Sequence, residues 1–209
     1  MIFILQYNYL VMKTIFSTLL TIILIFLFEC SATAQQYTSI QYVIASPMNN
    51  LKDYINKTSF RGATFEYQTK INTNIAAGIA LGWNVFYERK PYATYYDGTA
   101  SLSGIQYRYT SSVPIHITGI YLLNEESRFN PFLGMGIGTT YTVRNTDMGL
   151  YRWEEDTWSF SIRPEVGFMY TIRKTTGVKA ALRYNAAFKT SDLKDQSFFS
   201  LSVGLVSIK

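Results

Sequence analysis

Along residues 75–88 the chain alternates with a period of two. Ile75, Ala77, Ile79, Leu81, Trp83, Val85 and Tyr87 hold one face, and Ala76, Gly78, Ala80, Gly82, Asn84, Phe86 and Glu88 hold the other. This pattern predicts a β-strand, and its length exceeds the roughly 9–11 residues that a tilted strand needs to cross a bilayer. The alternation recurs on both sides of it. Ile40, Tyr42 and Ile44 alternate with Ser39, Gln41 and Ala45, and Phe65 and Tyr67 with Thr64, Glu66 and Gln68. Ile105, Tyr107, Tyr109, Val113, Ile115 and Ile117 alternate with Gln106, Arg108, Thr110, Ser112, His116 and Thr118. Leu133, Met135, Ile137, Tyr141 and Val143 follow, set against Gly134, Gly136, Gly138, Thr140 and Thr142. Phe160, Ile162, Val166, Phe168 and Tyr170 then oppose Ser161, Arg163, Glu165 and Gly167. The last two segments set Val178, Ala180, Leu182, Tyr184 and Phe188 against Lys179, Arg183 and Asn185, and Phe199, Leu201, Val203 and Leu205 against Ser200, Ser202 and Gly204. Eight strands are expected, with no competing helical stretch after residue 34.

Two architectures fit eight alternating strands. A secreted, lipocalin-like barrel would bury the large apolar face and turn the polar face to water. A transmembrane barrel does the reverse, with lipid outside and a polar lumen. The connections separate the two. Those at 72–74, 124–129 and 173–176 are short, whereas those at 46–59, 89–100, 144–157 and 189–196 are longer and polar. Short turns at one end and long loops at the other are the outer-membrane arrangement, with the short turns in the periplasm. Trp83, Tyr87, Tyr107, Tyr109, Tyr121, Phe132, Tyr141, Trp158 and Tyr170 fall toward strand ends or the upper half, where amphipathic rings suit the headgroup level. The expectation is an all-β, eight-stranded antiparallel up-and-down transmembrane β-barrel over residues 35–209. Pro114 and Pro164 fall inside strands and each removes a ladder donor, so a β-bulge is expected at both.

The N-terminus reads as an address. Residues 15–28 are almost unbroken Ile, Leu and Phe, preceded by Lys13 and followed by Ala32-Thr33-Ala34. This is the charged, apolar and small-residue order of a signal peptide, and the apolar run is shorter than the roughly 20 residues of a spanning helix. A cleaved signal over residues 1–34 is expected, with Met12 as the start that best fits the pattern. Acylation of Cys30 is the alternative, set against the bulky charge of Glu29 before it.

Composition narrows the function. The 209 residues are 48% hydrophobic, 16% aromatic and 16% charged, too aromatic and too charge-poor for a disordered chain. One Cys and one His exclude a disulfide framework and make multi-His metal sites and His-paired nucleophilic catalysis hard to build. There is no G-x-S-x-G, and neither an enzyme, a cofactor nor a metal site is expected. The net charge of +5 is scattered singly, without a basic block, which argues against nucleic acid as a partner.

By parity, Glu66, Glu88, Arg108, His116, Arg163, Glu165, Lys179 and Arg183 point into the lumen. An eight-stranded barrel is just wide enough to be filled by side chains, and charges enclosed there must pair. Glu66, Glu88, Arg108, Arg163, Glu165 and Arg183 are therefore expected to form a polar network that plugs the barrel. The other reading is that the arginines line a narrow path for small solutes. Inward glycines at 78, 82, 134, 136 and 138 would make room for long side chains from across the barrel or leave a ligand cavity. Tyr92, Tyr95, Tyr96, Tyr151 and Trp153 stand in the long loops as candidate contact residues. Glu154, Glu155 and Asp156 beside them read as a solvated loop tip or a weak divalent-cation site.

With its signal segment, its eight alternating segments, the Gly-rich run Pro131-Phe132-Leu133-Gly134-Met135-Gly136-Ile137-Gly138 and Arg163-Pro164-Glu165-Val166-Gly167, the chain resembles small outer-membrane β-barrel proteins of Gram-negative bacteria. Ser46-Pro47, Leu51-Lys52-Asp53-Tyr54-Ile55 and Ser59-Phe60-Arg61-Gly62 resemble, more narrowly, the first loop and second strand of uncharacterised barrel-domain proteins from Bacteroidota. The resemblance implies outer-membrane lipid, lipopolysaccharide and the barrel-assembly machinery as partners, and a monomer. Barrels of this kind commonly end in an aromatic residue, where this chain ends Ser207-Ile208-Lys209 and carries Phe198 and Phe199 earlier in the same strand.

Overall fold

The computed structural model describes residues 35–97, 100–124, 127–188 and 195–209. The expected signal segment, with Met12 and Cys30, lies outside the described residues. The strands are β1 (Gln36–Met48), β2 (Ser59–Lys70), β3 (Ile75–Asp97), β4 (Ala100–Leu122), β5 (Phe129–Met148), β6 (Tyr151–Arg173), β7 (Thr176–Ala187) and β8 (Gln196–Ile208), with one helix, α1 (Asn49–Tyr54), between β1 and β2. Each strand pairs antiparallel with the next. β8 returns to β1, from Tyr37 opposite Ile208 to Met48 opposite Ser197, and closes the barrel. Closure removes the sheet edges within the barrel, while β3 beyond Asn84 and β6 before Phe160 pair on one side only.

The alternation sorts side chains as expected. Ile40, Ile79, Ile117, Leu133, Phe160, Val166, Leu182, Val203 and Leu205 all face outward and exposed, Ile117 by 72% and Ile40 by 67%. An apolar surface that encircles the molecule has no stable contact with water and requires hydrocarbon around it. Outward rings pair across strands at one end of this belt: Tyr87 with Tyr109, Tyr141 with Trp158 and Tyr184 with Phe199, at centroid distances of 4.9, 5.0 and 4.9 Å. Phe129 and Phe168 pair at 5.2 Å toward the other end.

Three expectations change. The connections at 89–100 and 144–157 are not loops but continuations of β3 to β6, which rise past the belt as two hairpins. Their Tyr, Thr and Trp content favours extended backbone, and pairing satisfies that backbone without burial. The β5–β6 hairpin turns at Gly149-Leu150, with Gly149 at a φ of 60°, a conformation that glycine adopts without steric cost. The first connection holds a short helix where none was expected, because Leu51 and Ile55 lie on one side of it and are buried in the barrel mouth. Neither proline makes a bulge. On one side of Pro114 the ladder with β3 skips from Leu81–Ile115 to Asn84–Ser112, and beside Pro164 that with β7 skips from Ile162–Ala186 to Glu165–Arg183, both without a change of register. Each proline omits a hydrogen bond on one side while its other neighbour stays in register, so the inward parity of Arg163 and Glu165 is preserved.

Inside, the barrel is layered. At the short-turn end the inward positions become apolar, and Tyr37, Ile120, Leu122, Phe132, Met169, Val206 and Ile208 form a floor. At the hairpin end Leu51 and Ile55 pack with Ala45, Phe86 and Phe198 as a lid, Phe86 meeting Phe198 edge to face at 5.3 Å.

Candidate functional site: a lumen charge layer and a basic mouth

Between floor and lid lies a layer of charge. Glu66 projects inward from β2 and meets three cations from two strands, β6 and β7. Arg163 Nη2 donates to Glu66 Oε1 at 2.8 Å, Lys179 Nζ to Oε2 at 2.8 Å, and Arg183 Nη2 to Oε1 at 2.9 Å. Glu165 accepts from Arg183 Nε at 2.8 Å and lies 3.5 Å from Arg163. Gln41 ties in both sides, donating to Glu66 at 2.9 Å and accepting from Arg183 at 2.9 Å. Lys179 also donates to Gln68 and stands over the Phe132 ring, which links the layer to the floor. All five charged side chains are at most 2% exposed. Gly134 fits this layer tightly, since a Cβ there would stand 2.7 Å from Glu165 Cγ. Its small size makes room for a neighbour on the adjacent strand rather than for a chain from across the barrel.

The six lumen residues named from sequence therefore divide. Glu66, Arg163, Glu165 and Arg183 come together, joined by Lys179, Gln41 and Gln68. Glu88 and Arg108 point inward but lie beyond the lid and do not touch that cluster. Glu88 accepts from the Asn56 amide at 2.7 Å and pairs with Lys90 at 3.0 Å. Burial raises its pKa, but the Asn56 amide and Lys90 outweigh that and hold the carboxyl below its ordinary value. Above the charge layer, His116 Nε2 and Ser161 Oγ meet at 2.9 Å, and Ser161 also accepts from Thr140 Oγ1. Both His116 and Ser161 are 2% exposed, and His116 Nδ1 has no hydrogen-bond partner among the described residues, so the pair lacks both the access and the orienting acid of a catalytic triad.

Arg108 belongs to a second cluster at the mouth. Its Nη1 donates to the Tyr54 carbonyl at 2.9 Å, and its Nε to Gln106 at 2.7 Å. Arg144 stacks on the Tyr54 ring, 4.1 Å from the centroid, while Arg108 lies 4.8 Å from the same centroid. The Tyr54 hydroxyl is held by the Asn145 carbonyl at 3.0 Å and by Thr146 Oγ1, and burial raises its pKa, so the ring stays neutral between two cations. These residues line a cavity of about 580 Å³ together with Tyr95, Tyr151, Trp153 and Glu155. Three of the expected contact residues thus line the cavity, while Tyr92 is 72% exposed. Tyr96 lies in β3 by its backbone, and its side chain is outside the described residues. The triplet at 154–156 is strand rather than loop tip. Its members alternate in direction, Glu155 toward Arg144 at 3.9 Å and Asp156 toward the Tyr141 hydroxyl at 3.1 Å, so they cannot converge on a cation. Among the described residues no cluster of His, Cys, Asp and Glu could hold a metal ion.

Neither Arg144 nor Tyr54 was singled out from the sequence. Arg144 is a lone cation in what reads as a loop, and Tyr54 acquires its role only when α1 folds inward.

No protein-family model matches the chain, and no curated protein matches it. Solved structures do. The chain is similar to Ail, the attachment invasion locus protein of Yersinia pestis, solved with the heparin analogue sucrose octasulfate, at 11% identity and a TM-score of 0.53 over 85% of this chain and 100% of that one. It is similar to the outer-membrane protein OprG of Pseudomonas aeruginosa at 11% identity and a TM-score of 0.52, over 85% and 96% of the two chains. Neisserial surface protein A matches at 17% identity and a TM-score of 0.50, over 83% and 96%. The chain has the fold of the small eight-stranded outer-membrane β-barrel proteins.

Proposed function

We propose that the chain is a Gram-negative outer-membrane protein whose lumen is closed by its polar network and whose function resides at the hairpin end, as a structural or surface-interaction element. The carrying observation is the charge layer: five buried side chains from β2, β6 and β7 meet across the lumen in five ion pairs, with Arg163 Nε, Glu165 Oε1 and Arg183 Nη1 left without a partner among the described residues. An open channel would need those groups separated by water. Orientation follows from loop length, with the short turns in the periplasm and the two hairpins outside the cell. The partners are then outer-membrane lipid and lipopolysaccharide around the belt, and the barrel-assembly machinery during insertion. Closure of the sheet within the membrane-facing belt supports a monomer. The motif around Ser46-Pro47 and Ser59-Phe60-Arg61-Gly62 supports a Bacteroidota source. The Ail complex with a heparin analogue is an example of a barrel of this fold holding an anionic compound.

One observation favours a second reading, a narrow pore or carrier for small solutes. Asn84 Oδ1, Thr110 Oγ1 and Thr142 Oγ1 are buried and have no hydrogen-bond partner among the described residues, as an interior with bound water would require. Membrane fractionation with heat-modifiable gel migration tests the first reading, together with chymotrypsin added to intact cells. Recovery in the outer-membrane fraction with cleavage near Tyr92 is the expected result. Recovery in the soluble periplasm removes it.

A further inference from the structure

The mouth cavity has a composition that the closed lumen does not explain. Two guanidiniums, from Arg108 and Arg144, share one face-bearing ring, Tyr54, which brings like charges together at the cavity wall. Arg108 uses Nε on Gln106 and Nη1 on the Tyr54 carbonyl. Arg144 is less well served. Its Nε is buried with no hydrogen-bond partner among the described residues, and its carboxylate neighbour, Glu155, stands 3.9 Å away with 56% of its side chain exposed. The site therefore carries two positive charges matched only by one loose and exposed acid.

The rest of the wall mixes aromatic rings with Ser101, Gln106 and Thr146. Tyr151 and Trp153 lie nearly parallel, 5.9 Å apart with an interplanar angle of 22°, and Tyr95 faces the same space, its hydroxyl donating to the Pro91 carbonyl at 2.6 Å. A cavity of about 580 Å³ falls within the range of sites for small organic molecules and is far larger than a bare inorganic anion needs. A continuous aromatic face on one strand suits a planar ring, which stacks on it with little loss of conformational freedom. The charge balance limits the ligand to a single negative group, because Glu155 in the wall repels a second.

We infer that the cavity between the β3–β4 and β5–β6 hairpins binds a small aromatic monocarboxylate, its carboxylate on Arg144 and Arg108 and its ring against Trp153 and Tyr151. This rests on the reading of the hairpin end as the contact surface, and names the chemistry that surface takes. A carboxylate accepting from the Arg144 guanidinium at its Nη1 end replaces the loose Glu155 contact. Nothing covalent is involved.

Calorimetric titration of the full barrel in lipid nanodiscs, with 2-naphthoate as the probe, tests this. Saturable binding with a stoichiometry of one is expected. Arg144→Gln should weaken it about tenfold or more, the loss of a charge-assisted hydrogen bond. 2-Naphthamide, the neutral analogue, should bind about tenfold more weakly to the wild type and equally to the wild type and Arg144→Gln. Glu155→Gln should tighten naphthoate binding, a gain that no folding defect can mimic. Absence of saturable binding to the wild type overturns the inference, as does equal affinity for acid and amide. Non-saturable uptake that is unchanged in Arg144→Gln is partition into lipid and also overturns it. Conductance measured on the same preparation is independent. An open pore that still binds naphthoate defeats the sealed-lumen reading and leaves the cavity assignment standing, whereas a silent barrel without binding does the opposite.

Discussion

The lumen and the mouth both gather arginines, yet they treat charge in opposite ways. In the lumen three cations meet two carboxylates within hydrogen-bonding distance, and every charged side chain there is almost fully buried. At the mouth two guanidiniums share a neutral ring, and the acid beside them is exposed and at the limit of an ion pair. Depth explains the difference. A charge enclosed in the barrel has no bulk water to turn to, so cations and carboxylates gather into one ion-paired cluster, although Arg163 Nε, Glu165 Oε1 and Arg183 Nη1 keep no partner among the described residues. At the mouth solvent supports the charge, and a guanidinium can be left available. The same residue type is thus enclosed and ion-paired in one region and left partly open in the other.

The largest expected effect separates the two regions directly. Glu66→Gln leaves Arg163, Lys179 and Arg183 with one carboxylate among them, and should cost about 3–5 kcal/mol in urea unfolding followed by the heat-modifiable gel band. A smaller loss would mean that water already reaches the cluster. The belt gives the next effect. Val203→Arg places a charge among outward residues of β8 and should cost about 2–4 kcal/mol in a bilayer, where the same change on a water-facing surface would be nearly neutral.

Between these regions, Glu88 anchors the chain after α1 through the Asn56 amide. Its depressed pKa means that its contribution is present above the ordinary carboxylate value of about 4.3 and is lost as pH falls through the lower folded value. Protease cleavage within 49–58 should therefore accelerate in strong acid, and Glu88→Gln should show the fast rate already at neutral pH. The smallest effect is expected at the mouth, where Glu155→Gln should change unfolding by less than about 0.5 kcal/mol, as an exposed and loose pair does. A large loss there would erase the contrast with Glu66.

What was legible in the sequence follows the same division. The belt imposes a strict rule, apolar residues outward at every second position, and that rule writes itself into β1 to β8 plainly enough to give strand number, order and parity. Glu66, Arg163, Glu165 and Arg183 followed from parity alone. Parity does not report depth, however, so Glu88 and Arg108 were placed with a cluster that lies on the other side of the lid. The floor was missed because an inward Ile120 or Leu122 at a strand end breaks no pattern. The mouth was illegible for another reason. Tyr54, Arg108 and Arg144 come from α1, β4 and β5, and only the inward fold of a short amphipathic helix brings the first between the other two. The prolines show the reverse error: a local rule predicted bulges, and a sheet held in register on the neighbouring strand absorbed the missing donors.

The central claim is that the lumen is sealed, and planar-bilayer recording of the purified, lipid-inserted protein tests it most directly. The account predicts no conductance steps above baseline at any voltage that leaves the bilayer intact. A steady ohmic conductance from the unmodified chain would contradict it.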